Sequence, residues 1–129
     1  MRIYKLKRIG QLLFATGAVK GKDAIATFIV LVDTGSTYTI LPWERLLAIG
    51  FEPAFAAGNV KIVTASGIVI APVFKVEWLS CCGLLLPSFP VVAHTLPAEM
   101  SRFGILGMDF LRQAKAHIDV FNAQVEVEQ

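Results

Sequence analysis

The sequence is short of the residues that hold metals, cross membranes or bind nucleic acid. It has two cysteines, Cys81 and Cys82, which adjoin each other, and two histidines, His94 and His117. Two cysteines without a second pair or nearby histidines do not make a zinc site, so neither a metal nor another cofactor is expected. Consecutive Cα atoms lie about 3.8 Å apart, below the usual span of a disulfide, so the thiols read as reduced. That usage fits a cytoplasmic protein. The histidines read as surface or satisfied core residues. No stretch approaches the ~20 apolar residues of a membrane span. Charged residues make up only 17%, with 12 basic against 10 acidic. No basic stripe accompanies this mildly basic balance, so nucleic acid is not an expected partner. Repeats, low-complexity tracts and linkers are missing too.

What is present is apolar. Hydrophobic residues make up 55% of 129, richer than an average soluble domain. The length suits a single domain over 1–129 with one sizeable core. So much apolar surface on a short chain suggests burial against a partner subunit. Arg2, Lys5, Lys7 and Arg8 precede a mostly apolar segment, 9–19, which raises the question of a secretory signal. Gly10, Gln11, Thr16 and Gly17 interrupt it, and it fits better as strand.

Alternation over 2–8 suits an exposed or edge strand. Residues 12–19 and 24–32 read as two strands joined by the turn Lys20-Gly21-Lys22-Asp23. A short strand is expected over 38–41. Pro42 stands at a first helical position, with a helix running to Ile49 and Gly50 ending it. Residues 60–64 and 68–76 form a hairpin candidate, its second arm continuing to Trp78. Residues 89–93 form a strand among prolines, and 109–115 a short helix. A last hairpin joins 117–120 to 124–128. Many short strands with two short helices indicate a mainly β, barrel-like domain.

The most informative segment is Phe28-Ile29-Val30-Leu31-Val32-Asp33-Thr34-Gly35-Ser36-Thr37. An apolar run that stops in an acid, a glycine and hydroxyl residues reads as a strand buried on both faces. It brings one carboxylate from the core to the start of a tight loop. A charge there is costly unless it is hydrogen-bonded or has work to do. The plain alternative is a polar turn after a strand. Ser36 has no partnered histidine, so a serine-hydrolase triad has no support.

A second element follows much later: Ile105-Leu106-Gly107, then Met108-Asp109-Phe110-Leu111. With Asp33-Thr34-Gly35-Ser36 and the hairpin between, the chain resembles the retropepsin-like aspartic proteases, nearer the cellular and bacterial branch than the viral one. The resemblance implies a closed β-barrel of the acid protease fold with a flap hairpin. Asp33 would be the catalytic acid, with Thr34, Gly35 and Ser36 supporting its loop. Ile105, Leu106 and Gly107 would cross and buttress that loop. Thr64, Ala65, Ser66 and Gly67 would form the flap tip over substrate, and Ile40, Ile62 and Ile105 the pocket walls. Viral members usually place Arg after the glycine; here Met108 stands, so that ion-pair network is not expected. Asp109 reads as a structural residue near a helix start.

Hydrolysis by carboxyls alone needs one group to take a proton from water and another to protonate or hold the amide. Two carboxyls sharing a proton do both, as established for aspartic proteases as a class. The sequence holds one Asp-Thr-Gly. The implied assembly is a homodimer, with Asp33 facing its symmetry mate and Thr34 bonding across the axis. Gly35 N–H and Ser36 are expected to donate to the carboxylate, and a mildly acidic optimum follows. The implied partner is an extended peptide or protein substrate. The alternative is a non-catalytic peptide-binding or dimerisation module of the same fold.

Overall fold

In the computed structural model, residues 1–64 and 67–128 are described; Ala65 and Ser66 of the expected flap tip lie outside them. The chain is mainly β. Strands β1 (Arg2–Lys5) and β2 (Lys7–Ile9) come from one basic segment but join different sheets. Leu6 between them is buried, which turns the chain at that point. The expected single edge strand is therefore two.

Strands β3 (Leu12–Lys20) and β4 (Ile25–Val32) form an antiparallel pair from Phe14↔Leu31 to Lys20↔Ile25. The segment that raised the question of a signal is thus largely β3. Next come β5 (Ile40–Leu41), helix α1 (Trp43–Ala48) and a 3₁₀ turn at Pro53–Phe55. Pro42 precedes the helix as its cap residue rather than opening it. Gly50 follows with φ 102°, a left-handed conformation suited to glycine past a helix end.

The hairpin is longer than its sequence suggests. Strand β6 (Gly58–Thr64) pairs with the first half of β7 (Gly67–Cys81), from Gly58↔Val73 to Thr64↔Gly67. The rest of β7 pairs with β8 (Leu84–Ala93), of which only the last half was expected as strand. Pro87 and Pro90 hid the remainder. Strand β5 reaches β8 only at Val92 and Ala93, so the outer edge of β8 before them pairs with no strand among the described residues. An edge tolerates the missing N–H groups.

A 3₁₀ turn at Ala98–Met100 leads to β9 (Gly104–Leu106), helix α2 (Met108–Gln113), β10 (His117–Asp119) and β11 (Gln124–Val127). The eight-stranded sheet runs β2-β3-β4-β9-β5-β8-β7-β6, and β3 also pairs with β7. That pairing closes β3-β4-β9-β5-β8-β7 into a ring and leaves β6 with the near half of β7 projecting as a hairpin. A smaller sheet, β1-β11-β10, holds the two chain ends together.

The ring is filled by Phe74, Phe89, Phe110, Leu41, Leu46 and Leu106, none more than 1–2% exposed. Rings meet at Phe89–Phe110 (6.2 Å between centroids), Trp43–Phe74 (5.6 Å) and Phe51–Phe74 (5.3 Å). A separate small cluster, Ile40, Ala71 and Val92 with Val60, Ile62, Val73 and Ile105, roots the projecting hairpin on the ring.

Candidate active site

Strand β4 ends inside the ring and delivers Asp33 to its rim. Strand β9 then inserts between the two strands that flank the Asp33 loop. It runs parallel to β4 (Val32↔Leu106) and antiparallel to β5 (Ile40↔Ile105). The loop hangs on it: Asp33 N–H donates to the Leu106 carbonyl at 3.1 Å, and Met108 N–H to the Ser36 carbonyl at 2.8 Å. Gly107 is buried where the segments cross. A side chain there would meet the backbone of Tyr38 and Ser36, so only glycine fits. Ile105, Leu106 and Gly107 thus lie directly behind the loop.

The Asp33 carboxylate is half-buried and accepts the Gly35 N–H at 2.8 Å. A Cβ on Gly35 would sit 3.1 Å from that carboxylate oxygen, a tight approach that the carboxylate would have to yield to. Ser36 does not take the expected bond. Its hydroxyl donates to the Tyr38 carbonyl at 2.7 Å, so it braces the loop rather than the acid. Thr34 is exposed on the other side of the loop, against a groove of about 330 Å³ with Met108, Arg112 and His117.

On the near side, Asp33 opens on a cleft of about 400 Å³. Ile40, Ile62 and Ile105 line it, together with Gly35 and Ser36. Lys61, Ile62 and Val63 of β6 form its hairpin wall. Thr64 and Gly67 pair at the far end of that hairpin, and Gly67 has φ 127°. Val63, Ile68 and Ile70 are 81%, 67% and 67% exposed, an apolar surface on the projecting arm.

Residues not expected at the site also reach the cleft: Tyr38, Lys61, Leu96 and Pro97, and His94, which had read as a surface or satisfied core histidine. His94 is half-buried at the end of β8, and only the β5–β8 pairing brings it beside the loop. The support behind the loop was also larger than expected. Thr39, the one buried polar side chain among the described residues, donates its hydroxyl to Asp109 Oδ1 at 2.7 Å and its N–H to Oδ2 at 3.0 Å. Thr39 Oγ1 accepts the Gly107 N–H at 3.2 Å, and Asp109 also accepts the Phe110 N–H at 2.8 Å. Burial raises the Asp109 pKa above the usual carboxylate value, against the lowering effect of these donors. Asp109 lines neither the cleft nor the Thr34 groove. Among the described residues no group of three or more metal-ligating side chains is gathered, and no helix is long and apolar enough to cross a membrane.

A single acid on a loop threaded by a crossing hydrophobic-Gly strand, under a projecting hairpin, defines a retropepsin-like fold. The solved structure of a retropepsin-like aspartic protease from Rickettsia conorii superposes with a TM-score of 0.71 at 19% identity. The match covers 96% of this chain and 86% of that one. A search of curated proteins gave no match. The aspartyl protease family model matches residues 15–110, well over half of the chain, and the chain belongs to that family.

Proposed function

We propose that the chain is an aspartic endopeptidase, active as a homodimer in which Asp33 and its symmetry mate share one proton and activate a water. The observation that carries this reading is the placement of Asp33. One half-buried carboxylate stands at the mouth of an apolar cleft, its loop held from behind by β9 and by the Thr39–Asp109 bonds. Peptide hydrolysis by this route needs a second carboxyl, and among the described residues no other Asp or Glu lines the cleft. A second copy supplies it.

Thr34, exposed beside the 41%-exposed Met108, then faces the two-fold axis. In the charged pair one carboxylate takes a proton from water while the other, protonated, donates to the carbonyl oxygen of the scissile bond. An extended peptide lies along the cleft with alternate apolar side chains against Ile40, Ile62 and Ile105. The 58–73 hairpin closes over it and excludes water.

The test is cleavage of a mixed peptide library by the parent and by Asp33→Asn across pH. The parent cuts best at mildly acidic pH. The variant, which keeps the loop's shape and cannot share a proton, loses at least about a hundredfold. Equal cleavage by both would overturn the proposal. Binding without cleavage by the parent would favour the peptide-binding module of the same fold.

A further inference from the structure

The turn between β7 and β8 holds a second reactive feature, and none of the residues around it lines the Asp33 cleft. Cys81 ends β7 and is buried, while Cys82 follows it, half-buried, in the turn. Their sulfurs are 3.8 Å apart. Cys82 has φ 51° and Gly83 φ 76°, two left-handed residues in succession, as a tight two-residue hairpin demands. Cys81 Sγ also lies 3.9 Å from the Thr16 carbonyl. A cavity of about 310 Å³ bordered by Tyr4, Thr16, Ser80 and both cysteines gives a small molecule access to the pair.

We propose that Cys82 and Cys81 form an attacking and a resolving thiol, a site of reversible oxidation by hydroperoxides. Two sulfurs in contact, one open and one enclosed, are the arrangement such a pair needs. The contact with the Cys81 sulfur lowers the pKa of Cys82. The same contact, with burial, raises that of Cys81. The thiolate therefore forms on the more open sulfur.

In the first step the Cys82 thiolate attacks a peroxide oxygen and the O–O bond breaks. Hydroxide or alkoxide leaves and takes up, through solvent, the proton that Cys82 released on ionising, and Cys82 becomes a sulfenic acid. In the second, Cys81 attacks that sulfur, the S–S bond forms and the S–O bond breaks. The hydroxide leaves as water with the Cys81 proton. Two thiols give two electrons, which reduce the peroxide. A bridge across a single peptide unit is strained, so added dithiol reverses it readily. It also pulls Cys81 from Thr16, where β3 and β7 close the ring through Gly17↔Cys81.

The experiment is titration of the whole protein with hydrogen peroxide, followed by mass spectrometry of the tryptic peptide 76–102. In the parent this peptide loses two hydrogens, and dithiothreitol restores them. Cys81→Ser, or Cys81→Ala if the serine variant fails to fold, accumulates a Cys82 sulfenic acid that dimedone traps. Cys82→Ser reacts at least about tenfold more slowly, having lost the open thiolate. Three results would overturn the proposal: sulfinic acid on Cys82 of the parent without a bridge, equal rates in the two variants, or disulfides formed only between copies.

Discussion

Gly107 has no space for a methyl group. An added Cβ would lie 3.0 Å from the Ser36 carbonyl oxygen and nearer still to the Tyr38 carbonyl, and backbone atoms cannot swing aside as a side chain would. Gly107→Ala is therefore expected to cost about 2–3 kcal/mol, read as a lower urea midpoint; an unchanged midpoint would mean that the strands do not cross so closely. Asp109 behaves differently because it titrates. Its pKa is raised in the folded chain, chiefly by burial, so the folded state binds the proton more tightly than the unfolded one. The contribution is full below about pH 4 and is lost as pH rises through the raised value. Asp109→Asn lacks this titration. The parent's stability minus that of the Asn variant should fall as pH is raised from about 4 toward neutrality. Denaturant midpoints of both proteins along a pH series measure it, and a difference that grows over that range would show the hydrogen bonds from Thr39 and Phe110 outweighing burial.

Among the elements, the 58–73 hairpin is the proposed flap. It is rooted by Val60, Ile62, Ala71 and Val73 on Ile40 and Val92, while Val63, Ile68 and Ile70 face outward uncovered. A peptide carrying a hydroxymethylene in place of the scissile amide should slow amide exchange over 58–64 and 67–73 at least about tenfold, with the ring strands changing less. If such a peptide raises the melting temperature and the hairpin still exchanges freely, the hairpin is no flap. The same elements show what the sequence makes legible. The Asp33 loop is readable because its signal is local: a buried apolar run that ends in turn residues. The β6–β7 hairpin and the β10–β11 hairpin are readable for the same reason. Strand β8 was only half readable, since Pro87 and Pro90 argue against a strand and only an unpaired edge excuses them. The Thr39–Asp109 bonds join residues 70 positions apart, and His94 reaches the cleft through a parallel pairing; neither leaves a local pattern. The crossing of Ile105-Leu106-Gly107 behind the loop came from resemblance, because nothing in three residues states where they insert.

At the scale of the whole molecule, one chain offers one cleft acid among the described residues, and the proposed mechanism requires two. Activity then belongs to a species that forms from two copies, and its rate per chain should rise with concentration until the dimer saturates. Mixing makes the sharper test. At fixed total protein well above the dimer's dissociation constant, equal parts of parent and Asp33→Asn distribute at random among three dimers. Only the pure parent dimer has both carboxyls, so activity falls to about a quarter of the parent's. A self-sufficient monomer would retain about half. Adding the variant to a constant amount of parent separates the cases further: the dimer is progressively inhibited as its copies are captured into mixed pairs, whereas the monomer is unaffected. The mixture must be incubated long enough for subunits to exchange, which sedimentation of a tagged variant verifies. Activity strictly proportional to the parent present, with exchange demonstrated, would leave Asp33 working alone and remove the shared proton from the mechanism.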